Sequence, residues 1–353
     1  MKPSVAIGIV GAILFSTSPT SGQELTKVRV AWCNKTINSA VAPFAVATKM
    51  GWFKEGGIEV ELVPFGGSSE CIQNLASGQV LFSDSTAEPL AAVHARGVKA
   101  KVFYTVLQRN IFGFAVPQDS PIKTIADLKG KTIGETSMAS AGVLVARSIA
   151  ATNGLDPEKD MSLVVVGEAG QTAALVRSKQ VDALSQFATQ YALVEMAGIK
   201  LRMLDNSAIA RFPSNGLVAL DQTLKSQRSK AVALARGFAM GTQFTIDNPQ
   251  AAVRIVYDVY PQSRPTGKDE ATAVATESAV MRSVDFSQDV RPLGIKRWGE
   301  SSFTDYADYL NFKLKWNIIK EGISSEDFVT NDLIDDINMF DADKVKKAVA
   351  EYK

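Results

Sequence analysis

The sequence predicts an α/β protein made of two open parallel-sheet lobes joined by two hinge crossings. Two observations lead to this. The first is an internal repeat: "GGSSECIQNLASGQVLFSDS" (66–85) aligns without gaps with "GEAGQTAALVRSKQVDALSQ" (167–186) at a shift of 101 residues. The same register pairs Thr36 with Ser137, and Gly97 and Lys99 with Gly198 and Lys200. The second is that each copy alternates strand-like and helix-like stretches, the pattern of parallel sheets with right-handed crossovers.

In the first copy the strands are 27–32, 58–65, 80–83 and 100–104, with helical patterns over 39–50, 68–77 and "PLAAVHARG" between them. In the second copy "KTIGE", "SLVVV", "VDALS" and "KLRML" are the strands, with helices over 140–152, 170–179 and 189–197. Two extended stretches, 111–122 and 214–224, serve as the crossings. A helical C-terminal third follows and is expected to pack mainly on the first lobe. The expected division is therefore 23–116 plus 217–353 for lobe 1 and 117–216 for lobe 2.

Residues 1–22 differ in kind. Lys2 precedes a short apolar stretch, and a small-residue segment ending at Gly22 follows, which is the layout of a secretory signal peptide. The expected location is periplasmic, with no lipid anchor, because no cysteine lies near the cleavage point. Lys+Arg total 38 against 37 Asp+Glu, a balance that disfavours nucleic acid as a partner. Cys33 and Cys71 are the two cysteines of the chain, and the sequence leaves open whether they pair or stay as thiols. One His and no Cys-x-x-Cys leave no metal-ligand spacing, and no cofactor is expected.

Ligands of open α/β sheets bind at the carboxyl ends of the strands. With two similar lobes, those loops face each other across a crevice. The candidate ligand-binding residues there are Trp32, Asn34, Thr36, Asn38, Phe65, Gly66, Gly67, Ser68, Ser69, Ser85, Thr86, Ser137, Ser140, Glu168 and Phe187. The serines, threonines and asparagines stand at helix starts, where they cap the helix and where free N–H groups can hold an anion. The aromatics supply flat apolar surface, as small-molecule sites commonly do. Hydroxyls and helix ends point to an oxyanion, and the aromatics to a planar compound.

Gly66-Gly67-Ser68-Ser69 is no nucleotide P-loop, because Glu70 and Cys71 follow where a Lys and a hydroxyl are needed. His94, at a helix C-terminus, is expected to be structural, and Trp298 to be packing. Arg109 and Arg211 precede the crossings and are expected in surface ion pairs.

The stretches "PFAVATKMGWFKEGGIEVELVPFGGSSECIQNLASGQV", "GVKAKVFYTV", "IADLKGKTIGETS" and "TIDNPQAAVRIV" resemble the periplasmic substrate-binding proteins of ABC importers in the nitrate/sulfonate/taurine and thiamine-pyrimidine-precursor family. The resemblance covers about 25–320. It implies a type II periplasmic-binding-protein-like fold that closes on one small molecule and presents it to a membrane permease and its ATPase, acting as a monomer without chemistry. An enzyme-like branch of that family makes a pyrimidine and carries a "CCCFC" stretch, whereas the corresponding region here reads "SQFATQYALVEM" (185–196). The enzyme alternative would use Glu168 as acid or base.

Overall fold

A computed structural model describes residues 24–352; the signal peptide expected over 1–22 lies outside them. No helix among the described residues is long and apolar enough to cross a membrane.

Among the described residues, ten strands form two five-stranded sheets. They are β1 (Thr26–Trp32), β2 (Ile58–Pro64), β3 (Phe82–Thr86), β4 (Ala100–Thr105), β5 (Phe112–Pro117), β6 (Lys131–Glu135), β7 (Met161–Val165), β8 (Ala183–Phe187), β9 (Leu201–Met203) and β10 (Asn215–Leu220). The first sheet has the order β2-β1-β3-β10-β4 and the second β7-β6-β8-β5-β9. These are one topology used twice, with β1, β2 and β3 parallel to one another and β6, β7 and β8 likewise.

The 101-residue register is physical. The helix Ser68–Ala76 buries Cys71, Ile72 and Leu75, and the helix Ala169–Arg177 buries Thr172, Ala173 and Val176, the same three positions shifted by 101. Residues at i, i+1 and i+4 share one helical face, so both helices lay the same stripe on their sheets.

The crossings depart from expectation. Each becomes a strand: β5 runs antiparallel between β8 and β9, and β10 antiparallel between β3 and β4. The sheets are thus mixed. The reason is backbone satisfaction. A crossing that lies between two strands leaves no row of buried N–H and C=O groups unpaired, and "NGLVAL" is apolar enough to be buried on both faces. The boundary expected at 116/117 falls inside β5, which pairs wholly in the second sheet, so the passage between sheets lies at 106–111. The return lies at 204–214.

The C-terminal part does more than cover the first lobe. The helix Arg228–Asp247 packs on the helix Ala42–Lys49, with Phe238 edge-on to Phe44 at 4.7 Å. Gly241 permits that approach, since a Cβ there would collide with the Pro43 carbonyl. The helix Glu270–Arg282 touches the helix Ala188–Met196 of the second lobe. The helix Phe303–Lys315 straps the hinge. Arg109 and Arg211 both lie by Asp305, at 3.6 and 3.9 Å, and Arg211 also meets Asp308 at 2.8 Å. Eight residues beyond Asp305, the buried Lys313 ammonium lies 3.6 Å from Glu88 of the first lobe and donates to Ser148 Oγ of the second at 2.9 Å. One apolar cluster runs through both lobes and this strap, from Leu90 through Phe114 and Val145 to Tyr309.

Cys33 and Cys71 form a disulfide, with Cα atoms 5.9 Å apart. It ties the loop after β1 to the helix Ser68–Ala76. In the chain-entropy account, closing a 38-residue separation contributes about 4 kcal/mol.

Candidate ligand-binding cleft

The carboxyl ends of β1, β2, β3 and β6 and the loops that follow them converge on one cleft between the lobes. It encloses about 1170 Å³ of free space, including what opens to solvent. Eleven of the expected residues line it. Trp32, Asn34 and Asn38 come from the first loop, Gly66, Gly67 and Ser68 from the second, and Thr86 from the third. Ser137, Ser140, Glu168 and Phe187 come from the opposite lobe.

Four expected residues do not line it. Ser85 points to the other side of β3 because successive strand residues alternate faces. Phe65 packs against the shared apolar cluster. Ser69 faces away, but its backbone N–H donates to the Ala139 carbonyl across the cleft at 3.2 Å. Thr36 stands at the rim, where its hydroxyl donates to Glu168 Oε2 at 3.1 Å.

The lobes are joined around the cleft by further bonds. Ser137 Oγ donates to the Gly66 carbonyl at 2.5 Å. Gly67 allows this approach: a Cβ there would collide with the Ala139 carbonyl and lie 2.8 Å from Ser140 N. The glycine therefore admits the opposite lobe's backbone, where the sequence suggested room for a ligand.

The helix starts are also spoken for. Gly66 N–H donates to the Glu70 carboxylate at 2.7 Å, so the chain fills its own anion position. Ser68 does not cap; it is the first helical residue, and its Oγ accepts from Thr86 N–H at 3.2 Å. Ser140 does cap, accepting from Gly142 N–H at 3.0 Å, and Ala169 N–H donates to Gln190 Oε1 at 3.2 Å. Glu168 is an N-cap by position, without a cap bond from its side chain.

Sequence reasoning missed the cleft's most telling group. Asp84 lines the cleft and is 7% exposed. Burial pushes its carboxyl up to about 7, against the opposing pull of a hydrogen bond from Asn215. That bond is long, 3.5 Å from Asn215 Nδ2 to Asp84 Oδ1. Strand parity is the signal that could have found it: if Thr86 faces the cleft, so does Asp84, two residues back. Asn215, paired with Thr86 across β3 and β10, shares that face. The Thr86 hydroxyl is buried and has no hydrogen-bond partner among the described residues.

Aromatic walls complete the site. Trp32, Phe112, Phe187 and Phe238 line it, and Phe112 and Phe187 lie 5.5 Å apart. Trp32 is fixed by its indole N–H, which donates to the Thr36 carbonyl at 2.9 Å. Met281, Val284 and Gln288 of the C-terminal part form a further wall, beyond the reach of the repeat. His94 does not line the cleft; it closes its helix beside Phe328. Behind the cleft Glu135 is fully buried, both its oxygens lack partners among the described residues, and burial holds its carboxyl well above the usual range.

A family model described as NMT1/THI5 like matches residues 38–252. The riboflavin-binding protein RibY of Chloroflexus aurantiacus is 22% identical over 231 residues, a match covering 64% of this chain and 65% of that relative's length. Among solved structures, a protein from Bordetella bronchiseptica RB50 superposes with a TM-score of 0.72 at 21% identity, covering 89% of this chain and 98% of its own. The alkanesulfonate-binding protein SsuA from Xanthomonas axonopodis pv. citri, bound to MOPS, gives 0.65 at 13% identity, with 87% and 99% covered. These structural likenesses establish the two-lobe periplasmic-binding-protein fold.

Proposed function

Because the chain belongs to the NMT1/THI5-like family, we propose that it is a solute-binding protein of an ABC importer, capturing one small organic molecule between its lobes and delivering it to a membrane permease. The observation that carries this is the pair of cross-lobe bonds, Ser137 to Gly66 and Thr36 to Glu168, closing two lobes of one topology over an aromatic-walled cleft. A ligand favours such closure only through its greater affinity for the closed form. The Cys33–Cys71 disulfide agrees with an oxidising, extracytoplasmic setting. Glu168 is engaged with Thr36, and the single His lies away from the cleft, so capture without chemistry accounts for the residues present.

Mass spectrometry of small molecules released from the purified protein tests this. Retention of one compound, returned unchanged, supports capture. At about 100 times its Kd, that compound should stabilise the protein by about 2.7 kcal/mol. Chemical conversion of the compound would favour an enzyme, and the absence of any retained or stabilising compound would defeat the binding reading.

A further inference from the structure

We propose that Asp84, together with Thr86 and Asn215, reads an N–H edge of the captured molecule, so that the cleft selects a flat, neutral or cationic nitrogen compound and rejects oxyanions. This rests on the solute-binding reading and names the class of its ligand.

Three observations carry it. Asp84, Thr86 and Asn215 share one face at the end of adjacent strands, with β register pairing Asn215 to Thr86. Their polar atoms are under-used: Asp84 has one long side-chain bond, and the buried Thr86 hydroxyl has none among the described residues. A buried carboxylate or hydroxyl left without a partner is costly, and a donor on the ligand removes that cost. The third observation concerns what an oxyanion would need. The Gly66 N–H is held by Glu70, the Ser69 N–H by Ala139 and the Ala169 N–H by Gln190. An oxyanion would find these donors taken, and it would meet Asp84 and Glu168, with Lys35 the one cationic side chain among the described lining residues. Like charges at such range repel. Trp32, Phe112 and Phe187 supply faces for a ring whose edge meets Asp84.

Benzamidine and benzenesulfonate are a matched pair, one ring with opposite polar edges. With riboflavin and 4-aminopyrimidine as further N–H probes and nitrate as a further oxyanion, calorimetric titration of the mature protein tests the proposal. The N–H probes should bind and the oxyanions should not. Asp84→Asn keeps shape and removes the charge, and it should weaken benzamidine binding by about 10- to 100-fold while its melting curve stays cooperative. If that variant does not fold, wild-type affinity for benzamidine should still rise as Asp84 ionises between about pH 6 and about pH 8. Tighter binding of benzenesulfonate than benzamidine, or benzamidine affinity indifferent to both Asp84→Asn and pH, overturns the selectivity and leaves solute binding standing. Failure of every probe, with no small molecule retained from purification, overturns solute binding itself and this proposal with it.

Discussion

The Thr36 hydroxyl donates to Glu168 across the mouth of the cleft, at 3.1 Å and between residues 132 apart in the chain. This bond exists only when the lobes are together. Thr36→Val should therefore weaken capture while leaving each lobe intact. A partly exposed bond of this kind is worth about 0.5–1.5 kcal/mol, or about two- to tenfold in Kd. Stopped-flow release should show the loss as faster dissociation. An unaltered release rate would remove this bond from closure.

Gly67 makes a stronger claim. A side chain there collides with the Ala139 carbonyl, so Gly67→Ala should hold the lobes apart. We expect a loss of affinity of at least about tenfold, since closure must then give up the Ser137–Gly66 contact and its neighbours. Small-angle scattering should show that saturating ligand no longer reduces the radius of gyration. Normal compaction of the variant would contradict the collision.

Stability should depend on pH through the buried acids. Asp84 moves from an ordinary 3.8 to about 7 on folding, by burial, so the folded form holds its proton where the unfolded form has lost it. The stability from keeping Asp84 neutral is complete below its unfolded value. It is lost as pH rises from there to about 7. Charged groups lining the same cleft are Lys35 and Glu168. Urea unfolding of the ligand-free protein at successive pH values should show this decline, and Asp84→Asn should flatten part of it. The rest belongs to Glu135 and Asp285, whose carboxyls are raised for the same reason. A decline identical in Asp84→Asn would mean that Asp84 titrates normally.

Lys313 joins both lobes from the back. Burial lowers its pKa and the nearby Glu88 opposes that, the expected pattern of an ion pair taken out of water. Lys313→Met should cost about 3–5 kcal/mol, because Glu88 stays buried without its partner. Adding Glu88→Gln should recover most of the loss. Equilibrium urea unfolding of the single and double variants measures the coupling, and additive losses would show that the two do not interact.

The repeat was legible because each lobe buries the same helical stripe, and a fixed spacing of apolar residues survives where identity is thin. It located eleven of the cleft residues by their place after a strand. Ser85 failed because a loop position was taken without its strand parity, and Asp84 was passed over for the same reason. Asn215 and Met281 come from segments outside the repeat, and long-range chain return leaves no local pattern. Gly67 is legible as a cleft residue, but the group that approaches it is the other lobe's backbone, a tertiary fact. The disulfide needed the 5.9 Å separation that only folding supplies.

The position of β10 bears on how the protein is made. This strand lies between β3 and β4, so the first sheet is split until residue 220 has been synthesised. A nascent chain ending before that point holds β1, β2 and β3 on one side and an unpaired β4 on the other. Its most distant strand pairing joins residues 83 and 218, which makes the first lobe a late and slow folder despite being synthesised first. Under the proposed extracytoplasmic role this order is an advantage, because the N-terminal third has no complete sheet to form before the rest has emerged.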